Sequence, residues 1–139
     1  KDRKVCGRLL DQWFRLYEGA ADWIQVAKRH GVKEGWTLPT IFGRTIRVPE
    51  QVNRWGTLDR EAMERKAVNY PIIGTDGEVM KRALILSTSK GLGPPIMAAS
   101  VHDSISWDGD VADRVPVEEL EHIPGFRIPF KLEQSLTWI

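Results

Sequence analysis

One carboxylate stands where a tight turn would present it. Asp103 follows the apolar run Ile96 to Val101 and His102, and the alternating stretch Ser104-Ile105-Ser106-Trp107 follows it. Two strands flanking a polar pair spell a hairpin, with His102 and Asp103 at or beside its tip. A carboxylate held rigidly there and aimed outward suits a hard divalent cation. Mg2+ in particular takes one or two carboxylates and completes its shell with water and phosphate oxygens. Aspartate is also common in turns because it bonds its own backbone, so a turn role for Asp103 stands beside the metal role. Asp108 and Asp110 are too far along the chain to join it. Each lies roughly 16 Å or more away on an extended strand, and both read as turn residues.

No other constellation carries catalytic chemistry. His30 and His122 are isolated and expected at the surface. No serine sits in a nucleophile-elbow spacing. Gly91-Leu92-Gly93-Pro94-Pro95 is too short and too proline-rich for a phosphate loop and reads as a turn. A single cysteine, Cys6, excludes an internal disulfide framework and a cysteine-rich zinc site. The longest apolar runs fall far below about 18 residues, so nothing spans a membrane. The N-terminus lacks the apolar stretch of a signal peptide, and there is no initiator Met. The chain is therefore expected to be intracellular and a piece of something longer.

At 139 residues with 42% hydrophobic residues and a net charge of +1, the chain is one domain's worth of material. The charge is uneven. Residues 1 to 66 carry fourteen basic and nine acidic side chains, whereas residues 67 to 139 carry six basic and ten acidic. The basic half can follow a phosphate backbone and the acidic half can hold cations, although chance asymmetry of this size is ordinary.

The elements that must position Asp103 follow from periodicity. Leu9, Leu10, Trp13, Phe14 and Tyr17, continued by Ala20, Trp23, Ile24 and Ala27, predict an amphipathic helix pair, or one helix interrupted near Glu18-Gly19, with these side chains as core. Gly31 is expected to end it. Trp36 to Ile41 and Thr45 to Val48 read as short strands around Gly43-Arg44. Leu58 to Asn69 predicts a helix capped by Thr57 or Asp59 and broken by Pro71 and Gly74. A second helix is expected from Thr75, with Glu78 completing a capping box and Val79, Met80, Ala83, Leu84 and Leu86 inward. Val117 to His122 reads as a turn or two of helix. Phe126, Ile128, Phe130 and Leu132 alternate as a last strand. The fold class is α+β, with hairpin and late strand paired in one antiparallel sheet.

Four blocks in order then resemble a known family: Thr40 to Pro49, Glu64 to Thr75, Lys81, and Val101-His102-Asp103. They are similar to the C-terminal part of family A DNA polymerases, the bacterial polymerase I and phage type. That family runs Thr-Leu-x-Gly-Arg-x-Arg-x-Leu-Pro, then Glu-Arg-x-Ala-x-Asn-x-Pro-Ile-Gln-Gly-Thr, a lysine in the next helix, and Val-His-Asp-Glu. Thr137-Trp138 resembles the tryptophan near the end of these enzymes. The resemblance covers most of the chain from about Leu9 onward. It implies helices plus an antiparallel palm-type sheet that includes the hairpin, residues 1–35 as the helical segment after the fingers helix, and residues 36–139 as palm.

The resemblance also implies roles. Asp103 would be a catalytic aspartate of a two-ion Mg2+ site, with only that one carboxylate supplied by this chain. His102 would lie near the primer terminus. Arg65 and Asn69 would face the primer–template duplex, and Arg44 and Arg47 would be structural or backbone-binding. The substrates would be primer–template DNA and dNTP in the cytoplasm of a bacterial or phage-infected cell. The family's first catalytic aspartate and nucleotide-binding fingers helix are absent. The expected activity is therefore nucleotidyl transfer only with an upstream portion, in cis or as a separate chain. Two positions depart from the pattern: Ser104 replaces a glutamate and Ile73 a glutamine. His-Asp-Ser also occurs in single-subunit RNA polymerases. The alternatives are such a relative, or a non-catalytic DNA-binding accessory module on a palm scaffold.

Overall fold

The structure, a computed structural model, describes residues 2–123 and 125–135. Thr137 and Trp138 lie outside the described residues. The chain forms two compact units, Lys1–Gly74 and Thr75–Ile139, which share one long helix.

The first unit opens with α1 (Arg3–Leu16), N-capped by Asp2, whose carboxylate accepts from the Lys4 amide at 2.9 Å. The chain breaks at Tyr17 and resumes as α2 (Glu18–Glu34). The helix pair is thus as expected, but α1 buries none of its residues. Leu9, Leu10, Trp13, Phe14 and Tyr17 are all exposed, contrary to the expectation that they form core. Trp23 is half-buried, and the core begins only at Ala27.

Gly31 does not end α2. The helix runs on to Glu34 and stops at Gly35, whose φ of 72° closes it with a bond from its own amide to the Gly31 carbonyl at 3.1 Å. Gly31 is instead a point of contact. A Cβ there would lie 2.2 Å from the Ala67 Cβ, so the absent side chain is what lets α2 approach α3. Val48, Met63 and Ala67 form the core at this crossing, with Val32 packed on it.

Residues 36–49 make a hairpin-like loop rather than two strands. Only Trp36 and Arg47 pair as a bridge. Elsewhere buried threonine hydroxyls replace the ladder. The Thr37 amide donates to the Ile46 carbonyl at 2.8 Å, and the Ile46 amide donates back to the Thr37 hydroxyl at 3.0 Å. Thr40 does the same with Arg44, accepting the Arg44 amide on its hydroxyl at 3.1 Å.

The helix α3 (Arg60–Ser87) spans 28 residues. Asp59 caps it, accepting from the Ala62 amide at 2.9 Å. The predicted break at Pro71 and Gly74 does not occur, so Thr75 and Glu78 are mid-helix and cap nothing. Proline removes one helical donor and costs about 3 kcal/mol in a helix interior. Packing outweighs that here, because Pro71 and Gly74 are both buried. A Cβ on Gly74 would meet the Ile46 side chain at 2.7 Å and that of Thr40 at 3.1 Å, which makes this glycine a seat for the loop.

In the second unit the C-terminal part of α3 turns Val79, Met80 and Ala83 inward as expected, with Leu84 and Leu86 half-buried. Wider helical turns over Thr88–Leu92 end it, and Gly91 (φ 76°) reverses the chain. β1 (Met97–Val101) and β2 (Ser104–Trp107) then pair antiparallel, Val101 opposite Ser104, with an irregularity between Met97 and Ala99. The half-buried Trp107 anchors the hairpin base by donating to the Leu92 carbonyl at 3.1 Å. The helix α4 (Val117–Glu121) leads into a second hairpin, β3 (His122–Ile123) with β4 (Phe126–Arg127).

The architecture is α+β, but the expected single sheet is two separate two-stranded ones among the described residues. The predicted strand from Phe126 to Leu132 shrinks to Phe126–Arg127. Past it the backbone bonds to Glu121 instead. Ile128 donates to the Glu121 carbonyl at 3.0 Å and Phe130 to its carboxylate at 3.1 Å.

Candidate functional site

The hairpin β1–β2 is built to present its turn. Its strands close on a two-residue connection, His102-Asp103, and His102 takes a left-handed φ of 52° that few non-glycine residues adopt. Ser104 staples the turn, its hydroxyl donating to the Val101 carbonyl at 2.9 Å. Both His102 and Asp103 are exposed. The Asp103 carboxylate takes no hydrogen bond or ion pair from the described residues.

That carboxylate is a hard oxygen donor at the surface, suited to one position on a divalent ion. No group of three or more metal-ligating side chains gathers among the described residues. Asp103 thus offers one carboxylate here and no complete site. Asp108 and Asp110 are exposed beyond the hairpin, and the Asp110 carboxylate accepts from the Gln134 amide at 3.3 Å.

The predicted DNA-facing residues lie in the first unit. Arg65 and Asn69 are one helical turn apart on the exposed face of α3, while Met63 and Ala67 point into the core. Arg65 is held by Glu61 one turn earlier, at 2.6 Å. Ile73 continues the same face at the next turn and is 64% exposed. The family pattern's glutamine position therefore carries an open apolar side chain. Arg44 reaches back to donate to the Gly74 carbonyl at 3.3 Å, which ties the loop to α3. Arg47 is exposed beside the Trp36 bridge. Lys81 is exposed on α3 itself rather than on a separate helix.

A family model described as DNA polymerase family A matches residues 1–122, from α1 through the hairpin to the end of α4. The chain is a member of the family A DNA polymerases. It is 31% identical to the thermostable DNA polymerase I of Thermus thermophilus over 134 residues, which are 91% of this chain and 16% of that protein. It is 32% identical to DNA polymerase I of Pseudomonas aeruginosa over 84 residues, 60% of this chain and 9% of that protein. With DNA polymerase I of Bacillus subtilis it shares 23% over 139 residues, 94% of this chain and 16% of that protein. The chain thus spans between 9% and 16% of the length of these relatives. No solved structure matches it.

Two features of this family A chain escaped the sequence reading. One is the Ser104 staple. Its signal is present, because serine hydroxyls favour local bonds in turns, beside the position's departure from glutamate and its likeness to the His-Asp-Ser of single-subunit RNA polymerases. The other is the open apolar face of α1, which periodicity alone cannot distinguish from core. No helix among the described residues is long and apolar enough to cross a membrane.

Proposed function

We propose that this chain is the C-terminal palm segment of a DNA polymerase, residues 1–35 being the helical part after the fingers and 36–139 the palm. It takes part in DNA-templated transfer of nucleotides from dNTPs to a primer 3′ end. The observation that carries the reading is the exposed carboxylate of Asp103, unengaged by the described residues, on a two-residue hairpin turn in a chain of this family. Asp103 fits one position on Mg2+. When bound, that ion would supply charge stabilisation at the transferring phosphate. Asp103 holds one side of the site, and the stapled turn fixes its direction. His102, its neighbour in the turn, lies toward the primer terminus. Arg65 gives the duplex a cation for its phosphates, and Asn69 gives it a polar group able to meet the acceptors common to all base pairs in the minor groove. Arg44, tied to the Gly74 carbonyl, holds the loop, and the exposed Arg47 contacts the DNA backbone.

One carboxylate and a span of at most 16% of the DNA polymerase I relatives named above support a further element of the proposal. The remaining ligands and the nucleotide-binding fingers come from an upstream portion, in the same or a second chain, and these 139 residues alone do not polymerise. The test is primer extension with the purified chain alone and with that portion restored. Extension only in the second case is expected. Robust extension by the chain alone contradicts the proposal. Restored extension that is indifferent to the Asp103 side chain would favour an accessory DNA-binding module instead.

A further inference from the structure

Between the 36–49 loop and α3 the chain builds a small hairpin of its own. Val52 and Leu58 pair as a bridge, and at its base the Asp59 amide donates to the Gln51 carbonyl at 2.7 Å. Toward the tip the Asn53 amide donates to the Thr57 carbonyl at 2.8 Å, and the Gly56 amide to the Asn53 carbonyl at 3.0 Å. Gly56, with φ of 76°, supplies the left-handed residue that such a three-residue loop requires. The Asn53 side chain fastens the tip. Its carbonyl oxygen accepts the Trp55 amide at 2.9 Å and the Thr57 amide at 3.2 Å, and its amide donates to the Thr57 hydroxyl at 2.6 Å. This bonding holds out two side chains, Arg54 and Trp55. The indole is 71% exposed, and the Arg54 guanidinium lies over it, 4.1 Å from the ring centroid.

A single exposed aromatic means nothing by itself, because scattered apolar side chains are ordinary on a surface. The arrangement around this one carries the argument. The tip is bonded into shape before any partner arrives, which lowers the entropy cost of binding to it. A guanidinium stacked by its face keeps its N–H donors in the plane and available to an anion. The pair therefore offers an aromatic surface and an anion-binding fork side by side. A nucleotide unit brings a flat base and a phosphate together. Stacking on an aromatic ring with arginine beside it is how unpaired strands are gripped without choice of sequence. An apolar peptide anchor would use the ring and leave the guanidinium unanswered.

The position agrees. The hairpin runs straight into α3, which Arg60 opens with a side chain 73% exposed and 3.9 Å from Glu64. Arg65 follows about 7.5 Å further along the helix axis. We infer that Arg54 and Trp55 form a stacking platform for unpaired DNA, which in a primer–template is the template strand. The inference rests on the reading that Arg65 and Asn69 face the duplex, and it adds where the strand beyond the duplex is held.

The experiment titrates the 139-residue chain against two labelled strands of about twelve units, an oligothymidylate and an abasic strand of equal charge, read by fluorescence anisotropy. Trp55→Ala is expected to weaken oligothymidylate binding about fivefold or more and to leave abasic binding unchanged, while Trp55→Phe stays within about threefold of wild type. Arg54→Ala is expected to weaken both and to lower the salt slope by about 0.7, as for one phosphate of a single strand. Equal loss on both strands in Trp55→Ala means that the indole only supports the loop, and overturns the inference. Equal oligothymidylate affinity of Trp55→Ala and wild type also overturns it and assigns the tip to a protein partner, for which tryptophan and arginine are usual anchors. Absence of saturable oligothymidylate binding by the wild-type chain overturns it as well.

Asp103→Ala in the reconstituted enzyme separates this proposal from the catalytic one. Base-dependent binding through Trp55 with extension indifferent to Asp103 keeps the platform and removes the metal site. An Asp103-dependent enzyme whose strand binding ignores Trp55 does the reverse.

Discussion

Gly31→Ala adds one methyl group at the tightest point between α2 and α3. The new carbon would sit 2.2 Å from the Ala67 Cβ, 3.3 Å from the Ala67 Cα and 3.4 Å from a Val48 methyl. Carbon atoms in contact prefer about 3.5–4.0 Å, so the two helices must part by more than about 1 Å. Both sides of the contact are fully buried, and one is main chain, so no flexible side chain can yield. Overpacking on this scale costs about 3 kcal/mol, and the better helix propensity of alanine returns about 1 kcal/mol. The net loss is about 2 kcal/mol, or roughly 6 °C in Tm for a chain of this length. The control is the same exchange at Gly7 in α1, where a Cβ meets nothing within 4 Å. There only the propensity acts, and a gain of about 0.5–1 kcal/mol is expected. Urea unfolding of both variants measures the pair. A Gly31→Ala protein as stable as wild type would refute the packing role of this glycine.

Three further outcomes are expected. Arg127 and the Phe130 amide hold the Glu121 carboxyl below its ordinary range. A lowered folded-state pKa gives stability that is present above the unfolded carboxylate value near pH 4.3 and lost as pH falls through the folded one. The stability gap between wild type and Glu121→Gln in urea should therefore narrow from neutral pH to below about pH 4, and a constant gap would contradict the assignment. Arg44→Ala, by breaking the tie to the Gly74 carbonyl, should cost about 1 kcal/mol in urea unfolding while leaving the salt dependence of DNA binding unchanged; a reduced salt slope would mean the guanidinium serves phosphate instead. Arg65→Ala in the reconstituted enzyme should weaken duplex binding across sequences and lower the salt slope by about one, measured by titration at several salt concentrations, whereas an unchanged slope removes Arg65 from the duplex contact.

The hairpin was legible because its information is local: an apolar strand, a polar pair and an alternating strand specify a two-residue turn wherever they occur. The helix pair at the start was legible for the same reason. What the residues could not announce were decisions made by partners far along the chain. Gly31 and Gly74 carry the local marks of helix ends, yet each is buried against another element that needs the space of the missing Cβ. Pro71 breaks helices in isolation, yet it is buried here and α3 continues past it. The alternation from Phe126 to Leu132 is a genuine strand pattern, but past Arg127 it bonds to Glu121 rather than to a strand among the described residues. The apolar face of α1 shows the same limit from the other side, since periodicity states that a face is apolar and not what lies on it.

The most direct test of the account is single-turnover nucleotide incorporation by the enzyme reconstituted with its upstream portion, wild type against Asp103→Ala. On the proposed role of Asp103 as a metal anchor, its loss should slow incorporation by roughly a thousandfold or more while duplex affinity stays near wild type. Incorporation at the wild-type rate by the alanine variant would contradict the claim that the hairpin carboxylate works at the growing end of the primer.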